Sequence, residues 1–142
     1  MLRWGRIGSD PREERTVDIE ELASRNVVSV TPGTPVRKAV DLMRQERVGS
    51  VAVVVDGAME GIFTERDLVA AVAEFADLDR EPVSSWMTPD PDTLGPETSV
   101  AEAAEWMLAT GYRHLPVVNE LGQLRGMVSV KDVLWAITED AD

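Results

Sequence analysis

Residues 83–137 repeat, in the same order, what residues 19–72 set down about sixty-four positions earlier. Pro32, Thr34 and Val36 return as Pro96, Thr98 and Val100, and Ala39 and Met43 return as Ala103 and Met107. Val53-Val54 comes back as Val117-Val118 and, after one inserted residue, Gly57, Gly61 and Asp67 come back as Gly122, Gly126 and Asp132. A period this long, present twice, marks a duplicated supersecondary unit, because solenoids stack three or more copies of a shorter repeat. One unit of about fifty-five residues buries too little surface for a secure core of its own. Two units packed sheet to sheet cover each other. The expectation is one α/β (α+β) globule with pseudo-twofold symmetry, not two beads.

Each unit reads β-α-β-β-α. In the first, Val27-Val28-Ser29-Val30 is a short strand closed by Pro32-Gly33. Thr34 as N-cap and Pro35 at the first helical position open a helix with Val36, Ala39, Val40 and Met43 on its inner face. The β-branched run at 51–55 suits a strand covered on both faces, Asp56-Gly57 a tight turn, and 60–63 the returning strand. A last helix buries Leu68, Ala71, Val72 and Phe75. The second copy follows suit with Val100, Ala103, Ala104 and Met107, strands at 115–119 and 125–128, and Val133, Ala136 and Ile137. Residues 18–24 and their twin at 82–87 each give a short helical turn. Trp86, Trp106 and Trp135 match apolar positions of the first copy and are expected in the core or a dimer contact. The boundaries are a lead-in over 1–17, repeat one over 18–76, a polar linker over 77–82, repeat two over 83–139 and a tail over 140–142.

The chain of 142 residues carries a formal charge of −12 and no cysteine. That charge disfavours nucleic acid as a partner, since phosphate backbones require a basic surface. The missing cysteines remove disulfides and thiolate metal sites. Residues 1–16 stand apart at a net charge of +1, with Arg3, Arg6, Arg12 and Arg15 against Asp10, Glu13 and Glu14. They read either as an extended lead-in or as a basic arm for an acidic partner surface. No apolar run reaches the ~20 residues of a membrane helix, and the N-terminus lacks the apolar stretch of a secretory signal. A cytoplasmic protein without membrane or nucleic-acid partners is expected.

Two strings carry chemistry. Gly61-Ile62-Phe63-Thr64-Glu65-Arg66-Asp67 and Gly126-Met127-Val128-Ser129-Val130-Lys131-Asp132 each leave a hairpin strand and enter a helix. A hydroxyl and an acid three residues apart at a helix start lie on one side. The carboxylate can accept two hydroxyl donors at once, which suits a ribose diol, and the helix N-terminus favours a phosphate. The same spacing is a capping box, and a cap with spare acceptor capacity can serve both purposes. Arg113, His114 and Lys131 supply cations near the second string, Arg47 and Arg66 near the first. His114, the single histidine, stands open between a partly buried structural residue and a phosphate contact whose affinity follows pH.

With Gly111-Tyr112-Arg113-His114-Leu115-Pro116-Val117-Val118, these strings resemble a tandem pair of CBS domains, the cystathionine β-synthase type motif or Bateman module, over residues 19–138. The resemblance implies a regulatory module rather than an enzyme. Its ligands would be adenosine-type molecules such as AMP, ADP, ATP or S-adenosylmethionine, held in clefts between the repeats of a chain that commonly forms homodimers. It assigns the ribose to Asp67 with Thr64 and to Asp132 with Ser129, and phosphate contacts to Ser50 and His114. The base would lie on 24–28 and 88–92.

Departures from the family pattern fall on the first copy. Leu22-Ala23-Ser24 lacks the methionine of Trp86-Met87-Thr88, and Gly49-Ser50 replaces Arg113-His114. The second site is therefore expected to lead for phosphorylated ligands. The alternative is a ligand-free scaffold acting through an unidentified protein partner. No Gly-x-x-x-x-Gly-Lys-Ser/Thr loop, Gly-x-Gly-x-x-Gly turn or His-Glu-x-x-His pair is present. No catalytic residue, catalytic cofactor or metal site is expected.

Overall fold

The computed structural model describes residues 18–23 and 27–141. The lead-in and residues 24–26 of the first base-lining segment lie outside them. The chain runs α1 (Ile19–Ala23), β1 (Ser29–Val30), α2 (Val36–Glu46), β2 (Ser50–Val55), β3 (Ala58–Thr64) and α3 (Glu65–Ala73). A 3-10 turn (Val83–Ser85) then leads to β4 (Thr88–Pro89), α4 (Val100–Thr110), β5 (His114–Val118), β6 (Leu124–Ser129) and α5 (Val130–Ala141). The fold is α/β, with the strand–helix–strand–strand–helix order in both halves.

The first sheet has the order β1-β2-β3-β4, with β1 parallel to β2 and the other pairs antiparallel. Asp56 and Gly57 both take positive φ, 50° and 82°, as a two-residue turn matched to the strand twist requires. The second sheet is the β5-β6 hairpin. On its free edge Leu94 takes the place of β1, donating its N–H to the Pro116 carbonyl (2.8 Å) and accepting from the Val118 N–H (2.9 Å).

Alternation along the strands sorts the apolar side chains into three clusters. Val51, Val53 and Phe63 pack with Val36, Ala39 and Met43 of α2. Ala52 and Ile62 face the other way and meet Met127 between the two sheets. Leu115, Val117 and Val128 pack under Val100, Ala103 and Met107 of α4 and Val133 and Ala136 of α5. The repeats exchange their leading elements across this arrangement. Ile19, Leu22 and Ala23 of α1 are buried in the second repeat's core, while Val83, Trp86 and Met87 join the first.

Several local expectations shift. α2 starts at Val36, one residue later than the Thr34 cap implies, and Thr34 Oγ1 accepts from the Thr31 N–H instead. Its first N–H groups are taken by the linker: Val36 donates to Glu81 and Arg37 to Leu78, each at 2.9 Å. α3 ends at Ala73 and Phe75 turns the chain with φ of 60°. Phe75 is consequently 93% exposed rather than inward, and Val72, still within α3, is 55% exposed because it falls on the helix's outer side. Trp86 is part-buried, its indole N–H donating to Glu81 Oε1 at 2.8 Å, whereas Trp106 and Trp135 lie on exposed helix faces. α5 continues through Ala141, past the end drawn at 139.

Candidate functional site

In each repeat, strand and helix starts are tied side by side by the hairpin register. Ser50 at the start of β2 pairs with Thr64, and His114 at the start of β5 pairs with Ser129. One backbone bond closes each corner: Glu65 N–H to the Gly49 carbonyl (3.1 Å) and Val130 N–H to the Arg113 carbonyl (2.9 Å). The sheet-to-sheet packing then sets the corners facing one another. Between them opens a cleft of about 570 Å³.

Of the eight residues singled out in the sequence, six line this cleft: Ser50, Arg113, His114, Ser129, Lys131 and Asp132. Thr64 and Asp67 do not, nor does the segment 88–92. The last turns of α2 add Val40, Met43, Arg44 and Arg47, and α3 adds Glu65 and Leu68. Arg47 stood out as a cation near the first string; the others were missed. Their signal is the i, i+3, i+4, i+7 row from Val40 to Arg47, which continues the buried stripe of α2 to its open end. Arg47 adopts φ of 58° and its N–H returns to Arg44 and Met43 carbonyls, so α2 stops there and the chain turns into β2.

Both helix starts are capped as their spacing allows. Asp67 Oδ2 accepts from the Thr64 N–H (2.8 Å) and hydroxyl (3.2 Å). Burial pushes this carboxyl above the ordinary aspartate range, while the Thr64 hydrogen bonds pull the other way. Asp132 Oδ2 accepts from the Ser129 N–H (2.9 Å), and Ser129 Oγ accepts from the Asp132 N–H (3.1 Å). The Asp132 cap engages one carboxylate oxygen, and its residue faces the cleft.

Four cations, Arg44, Arg47, Arg113 and Lys131, meet two carboxylates, Glu65 and Asp132, in a chain with a formal charge of −12. Such a local excess favours an anionic ligand. His114 is part-buried, and burial lowers its pKa below 6.5; Glu65 and Asp132 oppose that shift and Arg113 reinforces it. Ser50, also on the lining of the cleft, is 4% exposed. A second recess of about 550 Å³, lined by residues 93–97 and 118–121, contains none of the singled-out residues. Among the described residues, no group of His, Asp and Glu is placed to hold a metal, and no helix is long and apolar enough to cross a membrane.

A curated relative, a 17.7 kDa protein of Acidianus ambivalens, is 34% identical over 122 residues, covering 85% of this chain and 73% of that protein. Inosine-5'-monophosphate dehydrogenase of Korarchaeum cryptofilum is 37% identical over 116 residues, but the chain spans only 23% of its length. Among solved structures, a CBS domain protein of Pyrobaculum aerophilum complexed with AMP aligns with a TM-score of 0.76 and 28% identity. That alignment covers 87% of this chain and 99% of the other. The family model for the CBS domain matches twice, at residues 19–74 and 83–139. With the duplicated fold and two matches spanning most of its length, the chain belongs to the CBS domain family as a tandem pair.

Proposed function

We propose that this CBS pair is a regulatory module that binds one adenosine-type nucleotide, AMP, ADP, ATP or S-adenosylmethionine, in the cleft between its repeats. The observation that carries this reading is the convergence of Ser50 from one repeat with Arg113, His114, Ser129, Lys131 and Asp132 from the other. Asp132 and Ser129 would hold the ribose, and Arg113, His114 and Lys131 the phosphate. The AMP bound to the Pyrobaculum relative supports the choice of ligand class. Thr64 and Asp67 would form a second, weaker site or act as a cap alone. The pair works as a non-enzymatic sensor in the cytoplasm.

A ligand seated there touches both repeats. Its occupancy shifts the module only if one arrangement of the repeats binds it better than the other. A homodimer is part of the same reading, with Val69, Val72 and Phe75 near α3 and Leu134 on α5 (all more than half exposed) covered by a second copy.

A thermal-shift panel of AMP, ADP, ATP, S-adenosylmethionine and NAD tests the ligand. At a hundred times its Kd a ligand adds about 2.7 kcal/mol, a rise of a few degrees in Tm for a chain of this size. A flat panel would instead favour a scaffold acting through protein contacts alone.

A further inference from the structure

The two corners of the cleft are related by the internal repeat but opposite in charge. Glu65 and Val130 occupy matching places, each donating its backbone N–H to the residue that precedes a strand. Those acceptor residues are Gly49 in the first repeat and Arg113 in the second. The second corner thus pairs a cation with an apolar residue, and the first pairs a bare backbone with an acid. The absent side chain at Gly49 has a consequence. A β-carbon there would stand 2.8 Å from Glu65 Oε1 and 3.1 Å from His114 Nε2. The carboxylate of one repeat and the imidazole of the other therefore close on the same bare stretch of backbone, inside the cleft.

Resting on the nucleotide reading above, we infer that Glu65 is a specificity residue, a negative charge beside His114 that offsets part of the cleft's cationic excess and so shifts its selectivity toward a nucleoside monophosphate, away from the triphosphate that Arg44, Arg47, Arg113 and Lys131 alone would favour. Arg113 and Lys131 of the other repeat line the same cleft and can hold a single phosphate. Each further phosphate adds negative charge to a space that already contains a carboxylate. Repulsion scales with ligand charge, so ATP, near −4 at neutral pH, is penalised about twice as strongly in free energy as AMP, near −2. The exposed Glu65 side chain remains partly screened by salt.

The test is calorimetric titration of AMP, ADP and ATP, without divalent cations, into the full chain and its Glu65→Gln and Glu65→Lys variants. Glu65→Gln should tighten AMP no more than roughly threefold and ATP roughly tenfold, with ADP between them. Glu65→Lys should carry the ratio further in the same direction. A uniform change across the three nucleotides, or a preserved ATP-to-AMP ratio in both variants, overturns the specificity role while leaving nucleotide binding intact. If none of the three binds the unaltered chain, the nucleotide reading itself fails, and the assignment of Glu65 falls with it. Glu65 is solvent-exposed at the first position of α3, and unchanged melting of both variants would confirm that only the charge is at issue.

Discussion

The backbone of Ala23 rests directly on Gly126. A β-carbon on that glycine would lie 2.6 Å from the Ala23 carbonyl carbon and 2.7 Å from its oxygen. This contact joins the leading helix of the first repeat to the returning strand of the second, and it has a twin. A β-carbon on Gly61, on the first repeat's returning strand, would lie 2.5 Å from Met87 Sδ and 2.9 Å from the Thr88 carbonyl oxygen. The shared glycine of the duplicated string is therefore a docking surface for the element exchanged between repeats.

Gly126→Ala should be the costlier of the two matching substitutions. Its neighbours are backbone atoms and a β-carbon of a short helix, which can yield only by moving α1 out of the second core. A cost of about 2–3 kcal/mol is expected. Gly61→Ala meets the flexible end of a methionine first and should cost about 1 kcal/mol. Urea denaturation of both variants settles the order; equal midpoints would mean that α1 is not seated as described.

The duplication made most of this legible in advance. Strands, turn and core stripes follow from period and apolar pattern, because each is dictated locally and written twice. The exchange of α1 and the 83–85 turn was not visible, since a short apolar turn reads the same whichever core it enters. Phe75 misled for a related reason: its spacing suits an inner helix face, but α3 ends two residues before it. At the site, six residues were readable because they fall on the repeated strings. Arg44 and Glu65 escaped because nothing in a linear pattern says that one repeat's helix ends face the other's strand starts.

Asp132→Ala and Asp67→Ala separate capping from ligand contact. Both acids cap their helices in the same way, so each variant should lose about 1 kcal/mol of stability. Only Asp132 lines the cleft. Its loss should weaken AMP binding at least tenfold, while Asp67→Ala should leave the affinity of that cleft within about twofold, a charge-assisted hydrogen bond being worth about 1.5–3 kcal/mol. Equal effects on binding by titration calorimetry would remove the ribose role of Asp132.

Exposed apolar residues near α3 bear on assembly. Val69 and Val72 are 67% and 55% exposed, three residues apart on one helix face, with Phe75 just beyond at 93%. Sedimentation velocity on the unaltered chain should show a dimer, and Val72→Asp should shift it toward monomer by placing an unpaired charge in the contact. A dimer indifferent to Val72→Asp would place the interface elsewhere.

His114 gives two pH dependences of opposite sign. In the free protein its pKa is held below 6.5, chiefly by burial, whereas the unfolded chain takes up the proton near the ordinary value. The unfolded state therefore binds the proton first as pH falls. Stability that is intact above about pH 6.5 drains away below it, until the native group also protonates. A phosphate seated beside Arg113, Lys131 and His114 reverses the preference, because its negative charge adds to those of Glu65 and Asp132 in stabilising the imidazolium. Binding then takes up a proton, and affinity for AMP should rise as pH falls from 8 toward 6.5. Free-protein melting should accordingly drop between pH 7 and 5.5, and the AMP-induced rise in Tm should be larger at pH 6.5 than at pH 8. His114→Gln should flatten both trends while leaving the pH 8 melting temperature within a few degrees. A ligand-induced shift that is independent of pH in the unaltered chain would take His114 out of the phosphate contact and leave it as a packed residue between the two repeats.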